Sequence, residues 1–263
     1  MRIALASMDQ AWENKELNLE RVSALANSAA GLGAELVVFP EMTLTGFTMN
    51  TGYSAETAEN SPSVKALAQI AAAEKIWLLA GVVFRSGETA TNNLVGFAPD
   101  GMQRVLYAKI HPFSFAGEDR FFSRGEHLAT LALTEFTLGL SICYDLRFPE
   151  LFAALADKAD VLINIANWPR RRLDHWVTLL RARAIENQVY VVGVNRTGTD
   201  GNGVEYVSSS MVIDPNGVAL SPVSTAGDID VYDMTRQALD EFRKSFSTRQ
   251  DRLPDLYGKF LHE

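Results

Sequence analysis

A chain of 263 residues, 47% hydrophobic and 21% charged, is long enough to bury a large core, and no Pro/Ser-rich linker divides it, so one domain over residues 1–263 is expected. A formal net charge of -8 argues against nucleic acid or an acidic membrane surface as a partner. The single cysteine, Cys143, allows no intrachain disulfide and fits a reducing compartment, and no apolar run has the length of a signal peptide or a membrane span, so a cytoplasmic location is expected.

Ile3 to Ser7 has the character of a first strand, and Val22, Leu25, Ala26 and Ala29 within Leu19 to Ala30 share one helical face. Leu36-Val37-Val38-Phe39 is short, β-branched and wholly apolar, as befits a strand buried on both faces, and it stops at Pro40-Glu41. Glu41 therefore stands just past the carboxyl end of a buried strand. Met42 to Asn60 is polar and rich in Gly and Thr, the composition of a loop over a crevice. Val64, Leu67, Ala68 and Ala71 mark a second helical face, and Ile76 to Phe84 a third strand. Asn93 to Ala98 and Met102 to Lys109 flank Pro99-Asp100-Gly101, a turn suited to joining antiparallel strands. The first half thus runs β-α-β-α-β-β-β.

The second half repeats that order. Phe136 to Ile142 is a strand, Pro149-Glu150 starts a helix, Val161 to Ile165 is a strand, Arg172 to Gln188 a helix and Val189 to Val194 a strand. Tyr206 to Ile213 and Val218 to Leu220 then surround Asp214-Pro215-Asn216-Gly217, the counterpart of the first Pro-Asp-Gly turn. Two similar halves imply a pseudo-two-fold. Two mixed sheets, each covered by helices on one face, would bury their free faces against each other, giving a four-layer α-β-β-α sandwich. The tail after Asp228 is charged and irregular, with Phe242, Phe246, Leu253, Leu256, Tyr257 and Phe260 as scattered apolar anchors. An arm from about residue 235 that packs on a second subunit would explain it, as would packing on its own chain.

Three polar residues fall at the carboxyl ends of expected strands: Glu41, Lys109 and Cys143. Open α/β sheets keep their ligands at such ends, and a cysteine on a strand-to-helix elbow is presented to a crevice, although cysteine is also a common apolar filler. A thiol is only a few per cent thiolate at neutral pH, so a nucleophilic cysteine needs a base or a cation beside it. Glu41 can be that base. The helix after Pro149 begins several residues late, so its dipole helps the thiolate only weakly. Lys109 can stabilise the oxyanion of a tetrahedral intermediate together with the backbone N-H of Tyr144. The same Glu41 and Lys109 could equally form an ordinary ion pair at a loop mouth. His111, His127, His175 and His262 lack metal-ligand spacing, and no phosphate or dinucleotide motif is complete, so neither metal nor cofactor is expected. The Arg170-Arg171-Arg172 run suits either an anionic-substrate pocket or a solvated helix start, and Trp168 either a pocket wall or the core.

These residues carry a resemblance. Phe39-Pro40-Glu41-Met42 with Thr45-Gly46-Phe47, Lys109-Ile110-His111-Pro112-Phe113, and Cys143-Tyr144-Asp145-Leu146-Arg147-Phe148-Pro149-Glu150 resemble, in order, the base, lysine and nucleophile motifs of the nitrilase superfamily of carbon-nitrogen hydrolases. The likeness continues through Asn167-Trp168-Pro169, His175-Trp176, Ala182 to Gln188 and Asn195-Arg196, and is greatest to the amidase branch acting on ω-amides of short dicarboxylic acids. It implies the same α-β-β-α sandwich and a second glutamate after the lysine motif, a position that Glu118 fits better than Glu126. It also implies a homodimer.

The expectation is a cysteine amidohydrolase in which Glu41 is the base, Cys143 the nucleophile, Lys109 and the Tyr144 N-H the oxyanion donors, and Glu118 an aid to Lys109 or to the substrate. The reaction converts a small carboxylate-bearing amide to acid and ammonia through a thioester. Arg147, Asn167, Trp168 and Arg172 are the candidates for holding the substrate. N-carbamoyl or nitrile hydrolysis by the same site is the alternative within this chemistry. A metabolite-binding protein without turnover and a redox-sensing thiol are the alternatives outside it.

Overall fold

A computed structural model describes residues 1–260, and His262 lies outside them. The first half runs β1 (Arg2–Ala6), α1 (Lys15–Gly31), β2 (Leu36–Val38), α2 (Thr51–Ser54), α3 (Pro62–Glu74), β3 (Trp77–Ser86), β4 (Thr89–Phe97) and β5 (Gln103–Ala108). The second runs β6 (Thr130–Ala132), β7 (Thr137–Ile142), α4 (Pro149–Ala156), β8 (Val161–Ala166), α5 (Leu173–Asn187) and β9 (Tyr190–Asn195). The chain then passes through β10 (Gly198–Thr199), β11 (Glu205–Tyr206), β12 (Met211–Ile213), β13 (Ser224–Ala226), β14 (Ile229–Asp233), α6 (Arg236–Ser245) and α7 (Pro254–Phe260).

The two halves share one topology. Strands β1, β2 and β3 are parallel neighbours followed by antiparallel β4, and β7, β8 and β9 are parallel neighbours followed by antiparallel β12. Each set is extended on its other side by an antiparallel strand, β14 beside β1 and β6 beside β7. Alternate side chains decide the layers. Ile3, Leu5, Leu36 and Val38 point inward to meet Leu138, Leu140, Ile163 and Val192 of the other sheet. Ala4, Ala6, Val37 and Leu78 face outward onto Val22 and Ala26 of α1 and Leu67 and Ala71 of α3. Leu162 and Val191 do the same for Phe152 of α4 and Trp176 and Leu180 of α5. The result is the expected α-β-β-α sandwich.

Several elements differ from the sequence expectation. α1 begins at Lys15, four residues before Leu19, because the Asn14 side chain caps it by accepting from the Leu17 N-H at 3.0 Å. The strand expected over Tyr206 to Ile213 is broken: Asn195 donates to the Ser209 and Ser210 hydroxyls and bends the chain between β11 and β12. As far as Phe260, the tail after Asp228 is built of regular elements, β14, α6 and α7. Its β14 pairs with the whole of β1, from Arg2 opposite Asp233 to Ala6 opposite Ile229, and α6 places Leu239 in the core between the sheets. Arg236 and Arg243 of α6 both reach Asp160 on the same chain, at 2.8 and 2.9 Å.

Candidate active site

Glu41, Cys143 and Asn167 follow β2, β7 and β8 at the carboxyl ends of parallel strands, and Lys109 follows β5 at the same rim. Two backbone kinks deliver the first two groups. Met42 has φ +44° and Cys143 φ +46°, a conformation that non-glycine residues adopt only where the surroundings enforce it. Gly81 on β3 makes room for the first kink, since a Cβ there would lie 2.2 Å from the Met42 nitrogen. The second kink takes β7 straight into a 3-10 turn, Cys143–Arg147, so a helical turn starts at the cysteine instead of several residues later. The Tyr144 N-H thereby precedes the first bond inside that turn and is free to donate elsewhere.

Asp145 fixes this elbow. It is fully buried; its Oδ2 accepts from the Ile142 N-H at 2.9 Å and the Tyr107 hydroxyl at 2.7 Å, and its Oδ1 from the His111 N-H at 3.0 Å. The His111 ring meets Oδ1 at 2.8 Å through Nδ1 and stacks on Phe148 with ring centres 3.7 Å apart. One carboxylate therefore ties the nucleophile turn to the segment that carries Lys109.

Glu41, Lys109 and Glu118 form a buried cluster. The Lys109 Nζ donates to Glu41 Oε1 at 2.8 Å and to both oxygens of Glu118 at 3.1 and 2.9 Å. Asn92 Nδ2 donates to the same two carboxylates, at 2.8 Å to Glu41 and 3.0 Å to Glu118. Asn167 donates its backbone N-H to Glu41 Oε2 at 3.0 Å and its side-chain amide to the Glu41 carbonyl at 2.6 Å. Glu41 and Glu118 have no exposed surface and Lys109 has 1%. Burial works against the Lys109 charge, but Glu118 and Glu41 outweigh it and hold the ammonium above the ordinary lysine range. Burial, and then the charge of Glu41, push the Cys143 thiol well above its ordinary range, and Lys109 does not offset them. Glu41 is thus the charged neighbour that most opposes a thiolate at Cys143.

Cys143, Tyr144, Arg147, Asn167, Trp168 and Arg172 all line one cavity of about 480 Å³. Arg171 lines it too, and among the described residues none of these three arginines forms an ion pair with a carboxylate. The Arg147 guanidinium lies 4.8 Å from the centre of the Trp168 ring and that of Arg172 5.3 Å from Phe113, so aromatic faces hold both in place. Burial, then Arg171 and Arg147, lower the Arg172 pKa, while the two carboxylates on the cavity find other partners, Glu13 in Thr48 and Asn50 and Asp200 in Tyr206. Arg170 points away and pairs with Glu205 at 3.2 Å.

The sequence candidates therefore converge, with one change of company and several omissions. Asn167 lies on the cavity, yet both its hydrogen bonds go to Glu41 and make it a holder of that carboxylate. Glu126 is absent from the cluster, whose second glutamate is Glu118. Asn92, Asp145 and Asn195 have roles that the sequence reading misses. Asn195 fixes Trp168 by accepting its N-H at 2.7 Å and donating to its carbonyl at 2.9 Å. An asparagine at the end of an apolar strand is the signal that could have found Asn195, since such a buried amide must find partners.

Comparison with known proteins agrees with the geometry. The carbon-nitrogen hydrolase family model matches residues 2–244. A 2-oxoglutaramate amidase of Paenarthrobacter nicotinovorans is 35% identical, with 98% of this chain and 92% of that protein covered. The omega-amidase YafV of Escherichia coli K12 is 34% identical, with 95% and 96% covered. Among solved structures, a CN-hydrolase superfamily protein of Xanthomonas campestris with an arsenic adduct in its active site superposes with a TM-score of 0.89 at 31% identity, covering 96% of this chain and 97% of that one.

Proposed function

The chain belongs to the carbon-nitrogen hydrolase family, and from that premise we propose that it is an ω-amidase, releasing ammonia from short amides that bear a carboxylate at the far end. The observation that carries this reading is the cavity itself, with Cys143 beside the Glu41-Lys109-Glu118 cluster and arginines without carboxylate partners on its wall. Glu41 takes the thiol proton as Cys143 Sγ attacks the amide carbon. The Lys109 ammonium and the Tyr144 N-H receive the oxyanion, and Glu41 returns its proton to the departing ammonia, leaving a thioester. Glu41 then activates the water that hydrolyses the thioester, and the thiol is regenerated. Glu118 keeps Lys109 charged and in place.

Arg172 and Arg147 hold the far carboxylate, for which a planar guanidinium on an aromatic face is suited. Relatives named for 2-oxoglutaramate and omega-amide hydrolysis support that substrate class. The unit is residues 1–263 with an arm from about residue 235, working in the cytoplasm as a homodimer. The arm exposes Phe246, Leu253, Leu256, Tyr257 and Phe260. Ammonia release tests the reading: an ω-amide acid is compared with the same chain ending in a methyl group, and with nitriles and N-carbamoyl compounds. Equal kcat/KM for the acid and its methyl counterpart would show that no carboxylate is recognised. Preference for a nitrile or an N-carbamoyl compound would replace the amide in the reading.

A further inference from the structure

If the site is the ω-amidase proposed for it, the reading on which this inference rests, the groups around Cys143 also meet the acid that the reaction makes. Hydrolysis, R-CO-NH2 + H2O giving R-COO⁻ + NH4⁺, replaces a group with two N-H donors by a charged oxygen that can only accept. The protein side of that position is a base. A carboxylate offers about four acceptor positions. Three on Glu41 are filled, by Lys109 Nζ at 2.8 Å, Asn92 Nδ2 at 2.8 Å and the Asn167 N-H at 3.0 Å. The position left faces the Cys143 thiol, so an N-H of the bound amide shares it with the S-H.

Charge points the same way. Glu41 and Glu118 share a single ammonium, so the cluster carries a net charge of about -1 by counting Glu41, Glu118 and Lys109 in their ionised forms. Asn92 and Asn167, which also touch Glu41, are neutral. The remaining charged groups on the cavity are Arg147, Arg171 and Arg172, which take the far carboxylate, and Glu13 and Asp200, which add negative charge. A second carboxylate formed at Cys143 is therefore held in a buried, negative field with no donor on the Glu41 side.

We propose that Glu41 discriminates substrate from product: it accepts a hydrogen bond from the amide N-H and repels the carboxylate oxygen that replaces it, so the diacid binds only together with one proton. The oxygen in the oxyanion position is the same in both molecules. Only the group facing Glu41 changes, from donor to anion, and the site empties itself as the chemistry ends.

The test uses the full-length Cys143→Ala protein, which binds without turnover, titrated calorimetrically with glutaramate and with glutarate in buffers of different ionisation enthalpy. Near pH 8 glutarate is expected to bind at least about tenfold more weakly, and its Kd should fall about tenfold per pH unit towards about pH 6 with uptake of one proton. The Kd of glutaramate stays flat over that range. Adding Glu41→Gln supplies a donor, so the pH dependence for glutarate disappears and its affinity equals or exceeds that of glutaramate. Equal, pH-independent binding of the two acids to Cys143→Ala overturns the proposal, as does a pH slope that persists in the double variant. Ammonia release by the wild type tells the two failures apart. Release from glutaramate with equal glutarate binding sinks this inference alone, and no release sinks the substrate reading and this inference with it.

Discussion

Asp145 takes no part in bond making, yet its carboxylate meets four nitrogen and oxygen atoms drawn from Tyr107, His111 and Ile142. It sets the distance between Cys143 and Lys109. Asp145→Asn removes one charged acceptor from a buried network, a loss of about 2 kcal/mol, and kcat is expected to fall with KM little changed while the fold persists by circular dichroism. Glu41 and Cys143 give a sharper contrast. Because Glu41 holds the thiol pKa up, Glu41→Gln should lower it, so alkylation by iodoacetamide moves to lower pH while turnover drops by orders of magnitude. Lys109→Ala acts in the opposite sense on the thiol, since the ammonium pulls its pKa down. Removing that oxyanion donor costs about 3 kcal/mol, roughly a hundredfold in kcat. If Glu41→Gln turned over as fast as the wild type, Glu41 would not be the base.

At the scale of elements, the site depends on how closely β3 approaches the turn after β2. A Cβ at Gly81 would lie 2.2 Å from the Met42 nitrogen and 2.8 Å from the Glu41 carbonyl carbon, both backbone atoms that cannot rotate aside. Gly81→Ala must therefore push the Glu41 turn off the sheet, at about 1–3 kcal/mol of stability. Thermal unfolding should shift down and kcat should fall together; an unchanged kcat would show that the approach does not position Glu41. The same elements show what the sequence makes legible. Leu36 to Phe39 is an unbroken apolar run and Phe136 to Ile142 alternates Phe136, Leu138, Leu140 and Ile142 with small residues, so their ends, and with them Glu41 and Cys143, stand out without a structure. β14 does not, because it is five residues long and its apolar residues serve both faces, Ile229 and Val231 outward and Tyr232 inward, and only pairing with β1 reveals it. Glu118 lies on a 3-10 turn after Gly117 with no periodicity to mark it, so only the resemblance singles it out. Asn92 sits inside a strand, and its role depends on which face of β4 meets Lys109, a tertiary fact.

For the whole molecule, the question is what covers the arm. Leu239 of α6 is buried between the sheets, and Gln188 holds the chain beyond it by donating to the Phe246 carbonyl at 2.6 Å and accepting from the Thr248 N-H at 2.9 Å. Arg249 donates to the Ala156 carbonyl and Arg252 to Asp157 at 2.9 Å, so the arm is anchored on its own chain as far as Arg252. Beyond it, Leu253 is 55% exposed, Leu256 41%, Tyr257 47% and Phe260 61%, four large apolar side chains within eight residues, whereas the other exposed ones are scattered along the chain. Isolated apolar side chains are common on surfaces, but a run of this density is the mark of a contact. A two-fold contact uses the same patch on both copies, so one change acts twice. Replacing Leu256 and Phe260 by aspartate places like charges face to face in the proposed homodimer while leaving Leu239, Gln188 and both sheets untouched. Light scattering at micromolar concentration should then give twice the monomer mass for the wild type and the monomer mass for the variant, with the same circular dichroism. A wild type that is monomeric under those conditions would remove the assembly from the proposal, and a variant that stays dimeric would move the contact off the arm.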